Sequence, residues 1–231
     1  MNSSPYHKFT LFSYPKSSAS WRVRIALDYY QFPYEIIDVN LLKNEQNAPE
    51  FIKINPNASV PVLKVEDKSP HRKVTTYISQ STAILECLHT MSYFDGFLHD
   101  PNDFGPLFPR YYDEIAKVRS ICNIIACDIH PLQNLRVLKQ MEELDCKEMT
   151  KGKWAVKWIT RGLDVLEKTL KETSGKYCFG NAVTMADIYL IPQCFNAKRF
   201  KCFESEKYPI LHKIYDNCLA LDCFRKTAPT L

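Results

Sequence analysis

Glycine is scarce. Only six of the 231 residues are glycine, neither a Walker loop nor a GxGxxG run occurs, and a backbone cradle for phosphate is therefore not expected. No CxxC pair is present, no two of the six histidines stand at HxxxH spacing, and Cys122 and Cys127 lie five apart, so no metal site is expected. No long apolar run appears. The opening MNSSPYHKFTLFSYPKSS reads as neither a signal peptide nor a membrane span, and TAPTL at the other end is no anchor. The net charge is only +4. That falls short of the dense basic stripe of a nucleic-acid binder and leaves small anionic or electrophilic molecules as expected partners.

What is present is a globular composition long enough for one or two domains with a sizeable core. The nine cysteines are odd in number and unpatterned, which reads as reduced thiols in a cytoplasmic protein.

The first part alternates strands and helices. HKFTLFSY alternates apolar and polar residues as a strand does. After the loop PKSSAS, a helix is predicted from Ser18 to Tyr30, with Trp21, Ile25 and Tyr29 on its buried face. YEIIDVNLL reads as a second strand, NAPEFIKINP as a short helix stopped before Pro56, and SVPVLKVED and KVTTYIS as a hairpin. SQSTAILECLHTM is a helix that Ser79 or Ser81 can cap. The order βαβαββα over residues 1–91 implies one mixed sheet with helices against it. Residues 92–108 carry Gly, Pro, Asp and Asn at short intervals and read as a linker. Residues 109–231 have helical periodicity throughout, so an all-α second domain is predicted. Thr184 to Asp187, ahead of an apolar run, matches a capping box with Asp in place of Glu, whose plain meaning is helix initiation.

The stretch SYPKSSASWRVRIALDYY poses a problem of charge. A helix start favours anions, because its unpaired N–H groups and dipole are positive there. Arg22 and Arg24 run against that preference. Either they point into water or this helix start receives an anion.

SSASWRVRIAL closely resembles the zeta-class signature of the glutathione transferases, which runs Ser-Ser-Cys-x-x-Arg-x-Arg-Ile-Ala-Leu. NPNASVPVL is similar to the segment whose cis-proline clamps the glutathione backbone, and ISQSTAILE to the Gln-Ser pair that holds its γ-glutamyl end. ACDIHPLQNLRVLKQ and VTMADIYLIPQCFNAKRF resemble helical segments of the maleylacetoacetate isomerases. The resemblance runs from about Phe9 to Pro229. It implies the soluble glutathione transferase fold, with a thioredoxin-like first domain, glutathione as cofactor, and a homodimer. One position departs from the pattern: Ala19 stands where the signature has cysteine.

The implied anion is the glutathione thiolate. A free thiol has a pKa of about 8.5, and lowering it by about two units needs roughly 2.7 kcal/mol. A charge-assisted hydrogen bond from a serine hydroxyl supplies about 1.5–3 kcal/mol and a helix start about 0.3–2 kcal/mol. Together they suffice without a histidine. By resemblance Ser17 or Ser18 donates that bond, with Ser17 favoured; the plain alternative is that both only cap the helix. Ala19, Ser20, Trp21 and Arg22 complete the implied thiol-binding segment. Val60, before a cis Pro61, is implied to pair its main chain with the cysteinyl part, Gln80 and Ser81 to hold the γ-glutamyl carboxylate, and Gln46 to touch the glycyl end. Each also has a plain reading as turn or cap.

The implied reaction is cis–trans isomerisation of an enedioate or enedione: thiolate addition, rotation about the resulting single bond, and elimination. Arg22, His130, Asn134 and Arg199 are the implied partners of the substrate carboxylates. For Arg22 and Arg24 a solvated helix face or a salt bridge to the other domain is the alternative, and for His130 a hydrogen bond between domains. Ala19 leaves the serine mechanism intact and raises a second reading, a paralogue recruited to another cis-alkene. A transferase that conjugates small electrophiles or removes halide from α-halo acids starts from the same thiolate. A non-catalytic binding module is a third reading, which the retained serine pair and Gln80-Ser81 oppose.

Overall fold

The computed structural model describes residues 6–94, 106–144 and 146–229. They fall into two compact units, Met1–Phe104 with Asp222–Leu231, and Gly105–Leu221. Most of the expected linker, 95–105, lies outside the described residues.

The first unit begins with β1 (His7–Ser13) and α1 (Ser18–Tyr29), then β2 (Tyr34–Asp38). Two short 3-10 turns follow, Leu41–Lys43 and Glu45–Asn47, and then α2 (Pro49–Ile54), β3 (Val62–Ser69), β4 (Arg72–Ser79) and α3 (Ser81–Phe94). The sheet order is β2-β1-β3-β4. β1 runs parallel to β2, with Phe9 opposite Tyr34, and antiparallel to β3, with Leu11 opposite Leu63. The parallel pair needs a crossover, which α1 supplies. Phe9, Leu11, Trp21, Ile25, Leu63 and Ile84 are all buried. Burial of side chains of this size contributes about 1.5–3 kcal/mol each.

The second strand is shorter than its sequence suggested. Val39 still donates to the Ser13 carbonyl, but the Asn40 side chain then accepts from the amides of Leu42 and Lys43. A side chain that satisfies the next two backbone donors starts a turn and ends the strand.

The second unit holds α4 (Tyr112–Asn123), α5 (Leu135–Glu143), α6 (Lys151–Thr173), α7 (Met185–Arg199) and α8 (Pro209–Leu219). Between α4 and α5 the chain widens to a π turn over Ile124–Ile129 and tightens to a 3-10 turn over His130–Gln133. Pro131 has no N–H to continue an α-helical ladder. α7 is buried on all sides over Met185–Ala197. Its start is the expected capping box: Asp187 accepts from the Thr184 amide at 2.7 Å, the Thr184 hydroxyl at 3.0 Å and the Cys178 amide at 2.8 Å. Burial pushes the Asp187 carboxyl up, and these donors oppose that rise.

The helical periodicity of the last stretch, YPILHKIYDNCLALDCFRKT, is interrupted in the structure. The Leu221 amide turns back to the Cys218 carbonyl, and α9 (Asp222–Arg225) starts afresh. Residues 109–231 were expected to form one helical domain, yet the segment from Asp222 belongs with the first unit. The reason is specific bonding: Trp21 Nε1 donates to Thr227 Oγ1 at 3.0 Å and Arg24 Nε to the Thr227 carbonyl at 3.2 Å.

Candidate functional site

The N-terminus of α1 is the centre of the candidate site in the first unit. Ser17 is the N-cap, with extended φ −80° and ψ 117°. Its carbonyl accepts from the Trp21 amide, and its Oγ accepts from the Ser20 amide at 3.2 Å. Capping uses only a lone pair of this hydroxyl, so its proton stays available to donate. The cap and the anion-binding readings of Ser17 are therefore compatible. The first turn of α1 carries no acidic residue to compete for the helix start. Ser17 and Ala19 are half-buried, and Ser18 and Ser20 are buried.

Neither arginine points into water. Arg22 is only 2% exposed, and its Nη1 donates to Ser81 Oγ at 3.4 Å, tying α1 to the first residue of α3. Arg24 is 6% exposed. Its three nitrogens donate to Ser13 Oγ at 3.0 Å, the Pro15 carbonyl at 3.0 Å and the Thr227 carbonyl at 3.2 Å. Burial lowers its pKa to about 10, which still leaves it charged at neutral pH. The solvated face considered for Arg24 is thus corrected. It straps the end of β1, the loop before Ser17 and the last residues of the chain together inside one unit.

Three further features of this unit suit a peptide-like ligand. The Val60–Pro61 bond is cis. Asn55 holds the preceding loop through Nδ2 to the Ser59 carbonyl at 2.7 Å. Gln80, exposed, sits at φ 71°, a left-handed conformation that costs a non-glycine residue about 1–3 kcal/mol and is concentrated at functional sites. Gln46 lies in the second 3-10 turn, and its Oε1 is buried without a hydrogen-bond partner.

In the second unit, His130 is half-buried at the start of the 3-10 turn. Asn134 closes that turn and caps α5, its Oδ1 accepting from the Arg136 amide at 3.3 Å. Arg199 is exposed in the last turn of α7. A cleft of about 740 Å³ runs along one face of α4 and the π turn, past Tyr112, Ile115, Arg119, Asn123, Cys127 and Asp128. One buried pair is not legible in the sequence: Gln133 Nε2 donates to Gln193 Oε1 at 2.8 Å. Its one local signal was a glutamine in the otherwise apolar run YLIPQCF. Among the described residues no cluster of His, Cys, Asp or Glu could hold a metal ion, and no helix is long and apolar enough to cross a membrane.

Residues 7–90 match the glutathione S-transferase N-terminal domain family, and residues 151–222 match its C-terminal domain family. The chain is 40% identical over 221 residues to the maleylacetoacetate isomerase of Mus musculus, covering 95% of this chain and 91% of that protein. Its structure is similar to the crystal structure of maleylacetoacetate isomerase from Anaeromyxobacter dehalogenans 2CP-1 with bound glutathione. That pair has a TM-score of 0.83 and 34% identity, over 97% of this chain and 96% of the other. It is also similar to the holo structure of maleyl pyruvate isomerase, a bacterial zeta-class glutathione S-transferase, with a TM-score of 0.82 and 33% identity, over 95% and 96% of the two chains.

Proposed function

The chain belongs to the glutathione S-transferase family, and from that premise we propose that it is a glutathione-dependent cis–trans isomerase acting on a maleylacetoacetate-like cis-enedioate. The observation that carries the reading is Ser17: a helix cap whose hydroxyl proton is uncommitted, at a helix start with no acidic competitor.

The residues fit glutathione. Ser17 would donate a hydrogen bond from its hydroxyl to the thiolate, with Ser18, Ala19, Ser20 and Trp21 forming the first turns beside it. The dipole of α1 favours the same anion. Val60, ahead of the cis Pro61, offers its main chain to the cysteinyl part. Gln80 and Ser81 take the γ-glutamyl carboxylate at the start of α3. Arg22 acts through Ser81, to which it donates. Gln46 Oε1, a buried acceptor without a partner, suits an N–H at the glycyl end. When bound, glutathione supplies a thiol that adds reversibly to the cis double bond and so frees it to rotate. His130, Asn134 and Arg199 take the substrate carboxylates and hold them while the centre turns. The site is proposed to work in a cytoplasmic homodimer. None of the nine cysteines is disulfide-bonded, in keeping with a reducing compartment.

A conjugating or dehalogenating transferase, which starts from the same thiolate, is the second reading. One assay separates the two: maleylacetone with catalytic glutathione, following trans product and free thiol together. Trans product with thiol conserved is the expected outcome. Consumption of thiol in step with substrate overturns the isomerase reading in favour of conjugation.

A further inference from the structure

The turn that carries His130 and Asn134 is not part of a regular α-helix. It is π over Ile124–Ile129 and 3-10 over His130–Gln133, with Pro131 in the first turn of the 3-10 segment. Three successive contacts from neighbouring helices hold it. Ile129 is seated where α6 has Gly162; a Cβ there would lie 2.2 Å from Ile129 Cγ1 and Cδ1. The Leu132 carbonyl accepts from Trp154 Nε1 of α6 at 2.8 Å. Gln133 donates to Gln193 of α7 at 2.8 Å.

The last contact is a poor way to gain stability. Gln193 is fully buried and Gln133 is 7% exposed. Besides their one shared bond, Gln133 Oε1 and Gln193 Nε2 are buried with no hydrogen-bond partner. Two apolar side chains of the same size would leave no polar atom unsatisfied, and such a double replacement is typically close to neutral for folding. What an apolar pair cannot supply is direction. A hydrogen bond of fixed length and angle sets where the turn lies on α7, whereas apolar packing tolerates sliding and rotation.

We propose that Gln133 and Gln193 are positioning residues: their bond fixes the 130–134 turn and thereby sets the affinity for a dicarboxylate substrate. The proposal rests on the isomerase reading for the substrate and on the geometry alone for the fixing of the turn. Neither glutamine needs to touch substrate; they act through His130 and Asn134.

The test compares the parent protein with the double variant Gln133→Met/Gln193→Met, which conserves volume and leaves no amide unpaired, and with Trp154→Phe, which removes the donor to the Leu132 carbonyl and keeps an aromatic ring against Trp158. Thermal melting, amide hydrogen exchange over residues 130–135, and KM for maleylacetone and for glutathione are measured. The double variant should melt close to the parent, while exchange in the turn and KM for maleylacetone each rise up to about tenfold, the scale of one lost hydrogen bond, and KM for glutathione stays put. Trp154→Phe should move the same two quantities in the same direction. Parental exchange in the double variant overturns the proposal, whatever the activity. Faster exchange with an unchanged KM for maleylacetone overturns its link to substrate. If the parent itself does not turn over maleylacetone, the isomerase reading fails, and the exchange data still decide whether the pair positions the turn.

Discussion

The start of α1 and the turn between α4 and α5 solve one problem in opposite ways. In the proposed function, each holds polar groups in fixed places for a charged ligand. At α1 the polarity is mostly backbone: a helix end, a serine cap, a cis bond at Val60 and a left-handed Gln80. At the 130–134 turn the backbone is irregular and side chains from α6 and α7 do the fixing. A site made of chain geometry tolerates little change in local sequence. A site held by remote side chains can move by altering its supports while its own residues stay the same.

The largest expected effect lies in the first region. Ser17→Ala should lower kcat by about 10²–10³, the usual loss when one donor to a developing anion is removed, while costing only about 1 kcal/mol as a lost cap. The thiolate absorbance of bound glutathione, titrated with pH, should show its pKa moving back towards that of the free thiol. If Ser18→Ala gives the larger kcat loss, the two serines exchange roles. Next comes Arg24→Met, which strips donors from Ser13, Pro15 and Thr227 at once. Thermal unfolding should show a loss of about 2–4 kcal/mol, from buried acceptors left unpaired. Activity should fall as well, because the loop before Ser17 loses its anchor. A large stability loss with parental kcat would make the two regions more alike than argued, since Arg24 would then be structure only. Ala19→Cys is the smallest: glutathione affinity stays the same, and only the ranking of cis-alkenes and α-halo acids changes, read from kcat/KM. An unchanged ranking removes the case for a recruited paralogue.

The contrast also explains what could be read from the sequence. The helix from Ser18, the hairpin of β3 and β4 and the serine pair are local patterns, and local patterns are visible in a string. Both arginines were visible too, but their partners were not. Thr227 lies 203 positions from Arg24, and Ser81 lies 59 from Arg22. Gln133 and Gln193 are 60 apart, so neither glutamine alone announced a pair. The end of β2 is hidden in the sequence because apolar Val39, Leu41 and Leu42 prolong the strand pattern, while Asn40 diverts the backbone. The break before Asp222 was missed because helical periodicity carries on across it. What decides it is a tail that reaches α1.

That tail has a consequence for the order in which the molecule is made. α1 is complete once Tyr29 has been added, yet the bonds from Trp21 Nε1 and Arg24 Nε to Thr227 must wait for the end of the chain. At about 5–20 residues per second, the wait during synthesis is roughly ten to forty seconds. Until then the helix that begins at Ser18 emerges with part of its strap undone, and the first unit to be translated is the last to be finished.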